Sequence, residues 1–247
     1  MKHKTAKYLL EPLHPVSVVL VGVGGTGSHM LNMLGKIHSA LVQLGHLGLF
    51  VTAYDDDIVE EHNQGRQNFS AAQVNGHKAI ELMTVINRFY GTNWQAFNQK
   101  FKEHPANITI SCTDTIGSRK LIATKIWMTQ EKNDNTYGRE RDMKRQFYWL
   151  DIGNSEQSGQ ICLASTSDDR LPGLFGVHPE LRNMKDKKNK VTCSMAESLQ
   201  KQDLLVNSIM ANYAGHMLWT LFSKLSIDYH TLYINLKSLQ ISKIEIK

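Results

Sequence analysis

The run SVVLVGVGGTGS, residues 17–28, limits the fold more than any other stretch of this chain. Its apolar, β-branched half is short and stops at glycines, as a buried parallel strand does on entering a tight turn. A helix is expected at once. Over residues 28–44, Met30, Leu34, Ile37, Leu41 and Leu44 recur at intervals of three and four, so that one face packs on a sheet. LGLFVTAYDDD, residues 47–57, reads as a second strand that ends in carboxylates. Strands at 94–101 and 107–114 and helices at 71–89 and 118–132 continue the alternation, which defines an α/β fold with a Rossmann-like, doubly wound, mostly parallel sheet. Additional strands are expected at 146–153, 159–165, 231–237 and 239–246, with a long helical stretch over 195–222. A chain of 247 residues with 41% hydrophobic content can bury one sizeable core, so residues 1–247 are expected to form a single domain.

In such a sheet, ligands bind beyond the carboxyl ends of the strands. Three features meet there: the glycine turn, the end of the second strand at Asp55 to Asp57, and Asp114. Gly22, Gly24, Gly25 and Gly27 match GxGxxG between a strand and a helix, where backbone N–H groups point at a phosphate. That pattern does not say which nucleotide binds, and neither does Asp55, since a carboxylate at this strand end holds a ribose in NAD enzymes as well as others. The residues after it discriminate. Asn63 and Arg66 lie within reach of a nucleotide's phosphates, and Lys78 starts the next helix; an Arg fork grips phosphate oxygens at two points and a Lys adds a compact charge. Asp114 would supply an oxygen ligand for magnesium.

The pattern DxDxVxxxNxxRQ (Asp55, Asp57, Val59, Asn63, Arg66, Gln67), a Lys twelve residues past the Arg, and Cys112-Thr113-Asp114 resemble the ThiF/MoeB-type adenylating proteins, relatives of the ubiquitin-activating enzymes. The resemblance is specific from the first strand to about Arg119 and weaker beyond. In its second half, TCSMAESLQKQDLLVNSIMANYA is most similar to the ThiF-type proteins of the bacterial PRTRC system. The resemblance implies that the four glycines shape an ATP pocket, that Asp55 holds the ribose with Asp57 beside it, that Asn63, Arg66 and Lys78 neutralise the triphosphate, and that Asp114 holds magnesium. The implied activity is ATP-dependent adenylation of the C-terminal carboxylate of a ubiquitin-like or sulfur-carrier-like protein. A conjugating-enzyme-like partner and a homodimer are implied as well. The residue readings alone leave open an NAD- or FAD-binding oxidoreductase and a non-catalytic nucleotide-binding scaffold.

The resemblance also offers Cys193 as an acyl acceptor that would form a thioester, the alternative being an inert buried thiol. The polar segment at about 165–193 leads to it and is expected to form a mobile crossover arching over the nucleotide mouth. Cys112 and Cys162 fall in strands and read as core. The three cysteines form no CxxC pair and the histidines, His14, His29 and His178 among them, have no ligand spacing, so no zinc is expected. The arm before the first strand carries Lys2, Lys4 and Lys7 but no Arg, which argues against an arginine reaching into a partner's ATP site. A net charge of +5 is spread thinly, and KDKKNK (185–190) reads as a solvated loop rather than a nucleic-acid contact. No run approaches the roughly 18 apolar residues of a membrane span, and the first apolar stretch is too short for a secretory signal, so a cytoplasmic protein is expected.

Overall fold

The structure is a computed structural model that describes residues 1–134, 142, 145–186 and 202–247. The β-branched run Val16–Val21 forms β2, and Leu49–Tyr54 (β3) and Ile108–Ser111 (β5) pair with it in parallel on either side. Gln95–Phe97 (β4) extends the sheet beyond β3, and Tyr148–Asn154 (β6) extends it beyond β5, both in parallel. The remaining strands then alternate in direction: Ser158–Ser165 (β7), Tyr229–Asn235 (β9) and Gln240–Glu245 (β10) complete an eight-stranded sheet in the order β10-β9-β7-β6-β5-β2-β3-β4.

Period-two alternation divides the core between the two faces of the sheet. Val18 and Leu20 of β2 face one way, where Gly25–Gln43 (α2), Lys78–Tyr90 (α3) and Val206–Lys224 (α6) bury Leu34, Leu82 and Met217 against them. Val19 and Val21 face the other way, onto Ile122 and Ile126 of Ile116–Asp134 (α4) and Leu174 of Gly173–Val177 (α5). Both faces are covered, which is what a parallel sheet of near-continuous apolar strands requires.

The helix expected over 195–222 starts, among the described residues, only at Val206. Ahead of it the Asp203 carboxylate accepts the Leu205 N–H at 2.8 Å, a local bond that competes with helix geometry. Residues 173–182 form two short helical turns, seated by the buried Leu171 and Leu174. Their far end is pinned to α4: the Lys120 ammonium donates to the Met184 carbonyl at 2.7 Å, and the Asp186 carboxylate accepts the N–H groups of Ile116 and Gly117.

The N-terminal arm folds onto its own chain. His3–Lys4 (β1) pairs with Ser226–Ile227 (β8), and the buried His3 ring bonds Asp168 and the Tyr148 hydroxyl, each at 2.7 Å. Tyr148 opens β6, so this anchor sits at the amino ends of the parallel strands, opposite the expected mouth. No described helix is long and apolar enough to cross a membrane.

Candidate active site

β2 turns into α2 through Gly22, whose φ of +89° and 2.8 Å approach of an added Cβ to the Cys112 carbonyl oxygen both demand glycine. Gly24 is different. A Cβ there would meet nothing within 4 Å, so no neighbouring protein atom requires a glycine and the space beside the turn stays clear for a ligand. No side chain caps α2, and its first turn holds no acidic residue. That leaves a 19-residue helix presenting its N–H groups and positive dipole end to the mouth.

Asp55 ties the turn to the end of β3. Its carboxylate accepts the Val23 N–H at 2.6 Å and the Asp57 N–H at 2.9 Å. Burial pushes its pKa up from the ordinary carboxylate value, against the opposing pull of those two N–H groups and the Lys78 charge. Lys78 begins α3 with its side chain 9% exposed, and its ammonium lies 2.9 Å from the Asp57 carboxylate. Asp57 thus stands beside Asp55 and holds the lysine.

Asn63 is buried, and its side-chain carbonyl accepts the Glu60 N–H, closing a short turn that sets the loop before Arg66. The Arg66 guanidinium donates to the Gln202 side-chain carbonyl. That amide in turn donates to the Ser155 carbonyl at 2.9 Å. Asn207, at the start of α6, joins the network by accepting the hydroxyl of Thr26 at 3.1 Å and the amide of Asn154 at 3.0 Å. The glycine turn, the end of β6 and Arg66 are therefore tied together through residues that sequence motifs do not flag. The one signal was indirect: Asn207 is a polar residue inside an apolar helical run.

Asp114 stands exposed at the end of β5, and no described residue bonds its carboxylate. A lone carboxylate facing open space fits magnesium, which typically takes one or two carboxylates plus phosphate oxygens and keeps several waters. Among the described residues no group of three or more His, Cys, Asp or Glu is placed to hold a metal ion.

Beneath Asp114 lies an ion pair with a buried carboxylate that sequence reading passes over. Arg119 donates to the Asp151 carboxylate at 2.8 Å, to the Thr113 carbonyl at 2.7 Å and to the Ile152 carbonyl at 3.2 Å. Asp151 is fully buried and also accepts the Ser111 hydroxyl at 2.6 Å. Burial raises its pKa, with Arg119 and Ser111 pulling the other way. The pair fixes the backbone of Thr113, the residue before Asp114. Cys162 is buried and Cys112 half-buried against the core, and burial pushes both thiols up, Cys162 to about 12. Neither is a thiolate at neutral pH. Cys193 lies outside the described residues.

From Asp114 and Arg119 a cavity of about 640 Å³ runs across β6, β7 and β9 to β10. Strand register explains its floor. Gln160, Tyr233 and Ser242 stand side by side across β7, β9 and β10, as do Ser158, Asn235 and Gln240 two residues along. Between these rows Gly159, Ile234 and Ile241 are paired, and Ile234 is buried in the core.

A glycine turn leading into α2, carboxylates at the end of β3, and a polar cavity that starts at a second strand end define an α/β protein of the doubly wound class. The chain belongs to the ThiF family, whose model matches residues 4–246. Its fold is shared with Escherichia coli MccB crystallised with ATP, at a TM-score of 0.62 and 14% identity over 97% of this chain and 66% of that one. MccB with MccA is similar at a TM-score of 0.60 and 15% identity, covering 97% and 67%, and PaaA at 0.59 and 15%, covering 94% and 64%. The chain thus spans about two thirds of the length of these structures. No curated protein matches it.

Proposed function

We propose that this protein uses ATP and magnesium to adenylate the C-terminal carboxylate of a small protein or peptide. The observation that carries the reading is the junction at Asp114: the carboxylate that fits the metal of a triphosphate also opens the polar cavity. A ligand in the cavity and a nucleotide on the glycine turn would meet there. MccB, which has this fold, has been crystallised both with ATP and with MccA, in support of two ligands on such a scaffold.

In the reaction, a carboxylate oxygen attacks the α-phosphorus, the bond to the β-phosphate bridging oxygen breaks, and pyrophosphate leaves an acyl-adenylate behind. Both reactants are anions, so charge neutralisation and in-line positioning carry most of the catalysis. A carboxylate is already ionised at neutral pH and needs no base. Bound magnesium would neutralise phosphate charge at Asp114. Arg66 and Lys78 supply the protein's own cations, the α2 N-terminus receives phosphate oxygens, and Asp55 accepts from the ribose hydroxyls.

For the substrate we favour a ubiquitin-like or sulfur-carrier-like protein with an extended C-terminal tail, in a PRTRC-type cytoplasmic setting, with the enzyme acting as a homodimer. The sequence resemblance supports these finer assignments, as it does a thioester at Cys193 and a conjugating-enzyme-like acceptor. An NAD- or FAD-dependent oxidoreductase fits less well, because Arg66 and Lys78 add cations beyond what a dinucleotide pyrophosphate needs. Calorimetry tests the reading directly: MgATP should bind and NAD and FAD should not, whereas tight NAD binding without ATP binding would sink it.

A further inference from the structure

His178, Glu180 and Tyr233 form a chain of hydrogen bonds, and Tyr233, its last member, lines the cavity. The Tyr233 hydroxyl lies 2.9 Å from His178 Nε2, and the two rings meet edge to face at 88° with centroids 5.9 Å apart. His178 Nδ1 lies 3.1 Å from the Glu180 carboxylate. Glu180 is held below its ordinary value by its own backbone N–H and by His178, so it is ionised at neutral pH and can only accept. With Nδ1–H assigned to the Glu180 carboxylate, Nε2 offers a lone pair and the Tyr233 O–H donates to it. The phenol's single proton is committed to His178. What Tyr233 offers the cavity is its oxygen lone pairs, at the centre of a row flanked by Gln160 and Ser242.

Resting on the adenylation reading, we propose that Tyr233 is a specificity-determining residue: its hydroxyl oxygen accepts a hydrogen bond from a backbone N–H of the substrate's carboxy-terminal segment. The cavity then selects a peptide terminus over a carboxylic acid that lacks an amide. His178 and Glu180 are positioning residues that keep the hydroxyl an acceptor.

The test uses the full chain, MgATP and pyrophosphate exchange driven by acetylated hexapeptides with free carboxylates from a positional-scanning library. The best peptide is compared with versions N-methylated at each of its last three amides. Wild-type protein should lose about tenfold in kcat/KM with one of the three, as a single well-placed hydrogen bond allows. Tyr233→Phe should raise KM for the parent peptide about fivefold to tenfold at near-constant kcat and shrink the penalty for N-methylation to about twofold or less. Its MgATP affinity, measured by calorimetry, should stay at the wild-type value. His178→Gln, whose side-chain carbonyl can take the phenol proton, should keep more of the discrimination than His178→Ala. The proposal is overturned if wild type ignores N-methylation, if Tyr233→Phe weakens parent and methylated peptides equally, or if the two His178 variants behave alike. Wild type that binds MgATP but exchanges with no peptide overturns the adenylation reading itself, and the role of Tyr233 with it.

Discussion

On the glycine-turn side of the mouth, the ends of β2, β3 and β5 present glycine backbone and charged side chains that hold one another, as with Asp55 on Val23 and Asp57 and Lys78 on Asp57. On the other side, β7, β9 and β10 present uncharged side chains brought into line by strand pairing over long sequence separations, such as Gln160 with Tyr233. The first arrangement suits a compact polyanion. The second offers hydrogen bonds along a line, which suits an extended chain. The two meet at Asp114, above the Arg119–Asp151 pair.

If the halves divide the work in this way, substitutions should separate nucleotide effects from carboxylate effects. The largest effect is expected at the junction. Asp114→Ala should cut pyrophosphate exchange by at least about 10²–10³-fold and erase the magnesium-dependent part of ATP affinity, with the melting temperature unchanged. Normal exchange in that variant would remove its metal role. Asp151→Asn should instead act through stability: the cavity-lining Arg119 loses its charged acceptor, at a cost of about 1.5–3 kcal/mol, or a Tm lower by about 3–12 °C. A calorimetric scan reads this directly, and an unchanged Tm would show that water reaches the guanidinium. Next come Arg66→Ala and Lys78→Ala, each expected to cost about 2–4 kcal/mol of transition-state stabilisation. Their losses should appear in kcat and in ATP affinity while peptide KM holds; a selective rise in peptide KM would break the division.

The same division explains what the sequence made legible. Glycine turn, strand-end carboxylates and Lys78 sit at element ends, where a parallel strand meets the next turn or helix, so the strand–helix alternation places them at one mouth although Val23 and Asp55 lie 32 residues apart and Asp57 and Lys78 lie 21 apart. The parallel strands were readable because burial on both faces leaves continuous apolar runs. The cavity was hidden because its floor depends on register: Tyr233 in TLYINLK looks like any outward residue of an alternating strand until β7 and β10 flank it. His178 reads as a surface histidine for the same reason, since its partner lies 55 residues away. Arg119 and Asp151 were missed because an ion pair leaves no pattern in either strand or helix, and β1 because two residues carry no period.

The smallest effect should fall on the boundary between the halves, at Gln202. Its side-chain carbonyl accepts from the Arg66 guanidinium and from Asn207, and its amide donates to the Ser155 carbonyl on the cavity rim. Gln202→Ala therefore removes the contacts to Arg66 and Asn207 on one side and to Ser155 on the other. For ATP the two consequences offset: Arg66 loses an orienting acceptor, yet a phosphate no longer has to displace that acceptor, and a phosphate is the stronger partner for a guanidinium. Nothing offsets the loss at Ser155, where the rim simply loses a hydrogen bond. The expected result is MgATP affinity within about twofold of wild type and a peptide KM raised by about 1 kcal/mol, roughly fivefold. Calorimetry and exchange kinetics on the same preparation measure both. An equal loss of ATP affinity would mean that Gln202 serves Arg66 first, and that the nucleotide half extends past β6 into the segment leading to α6.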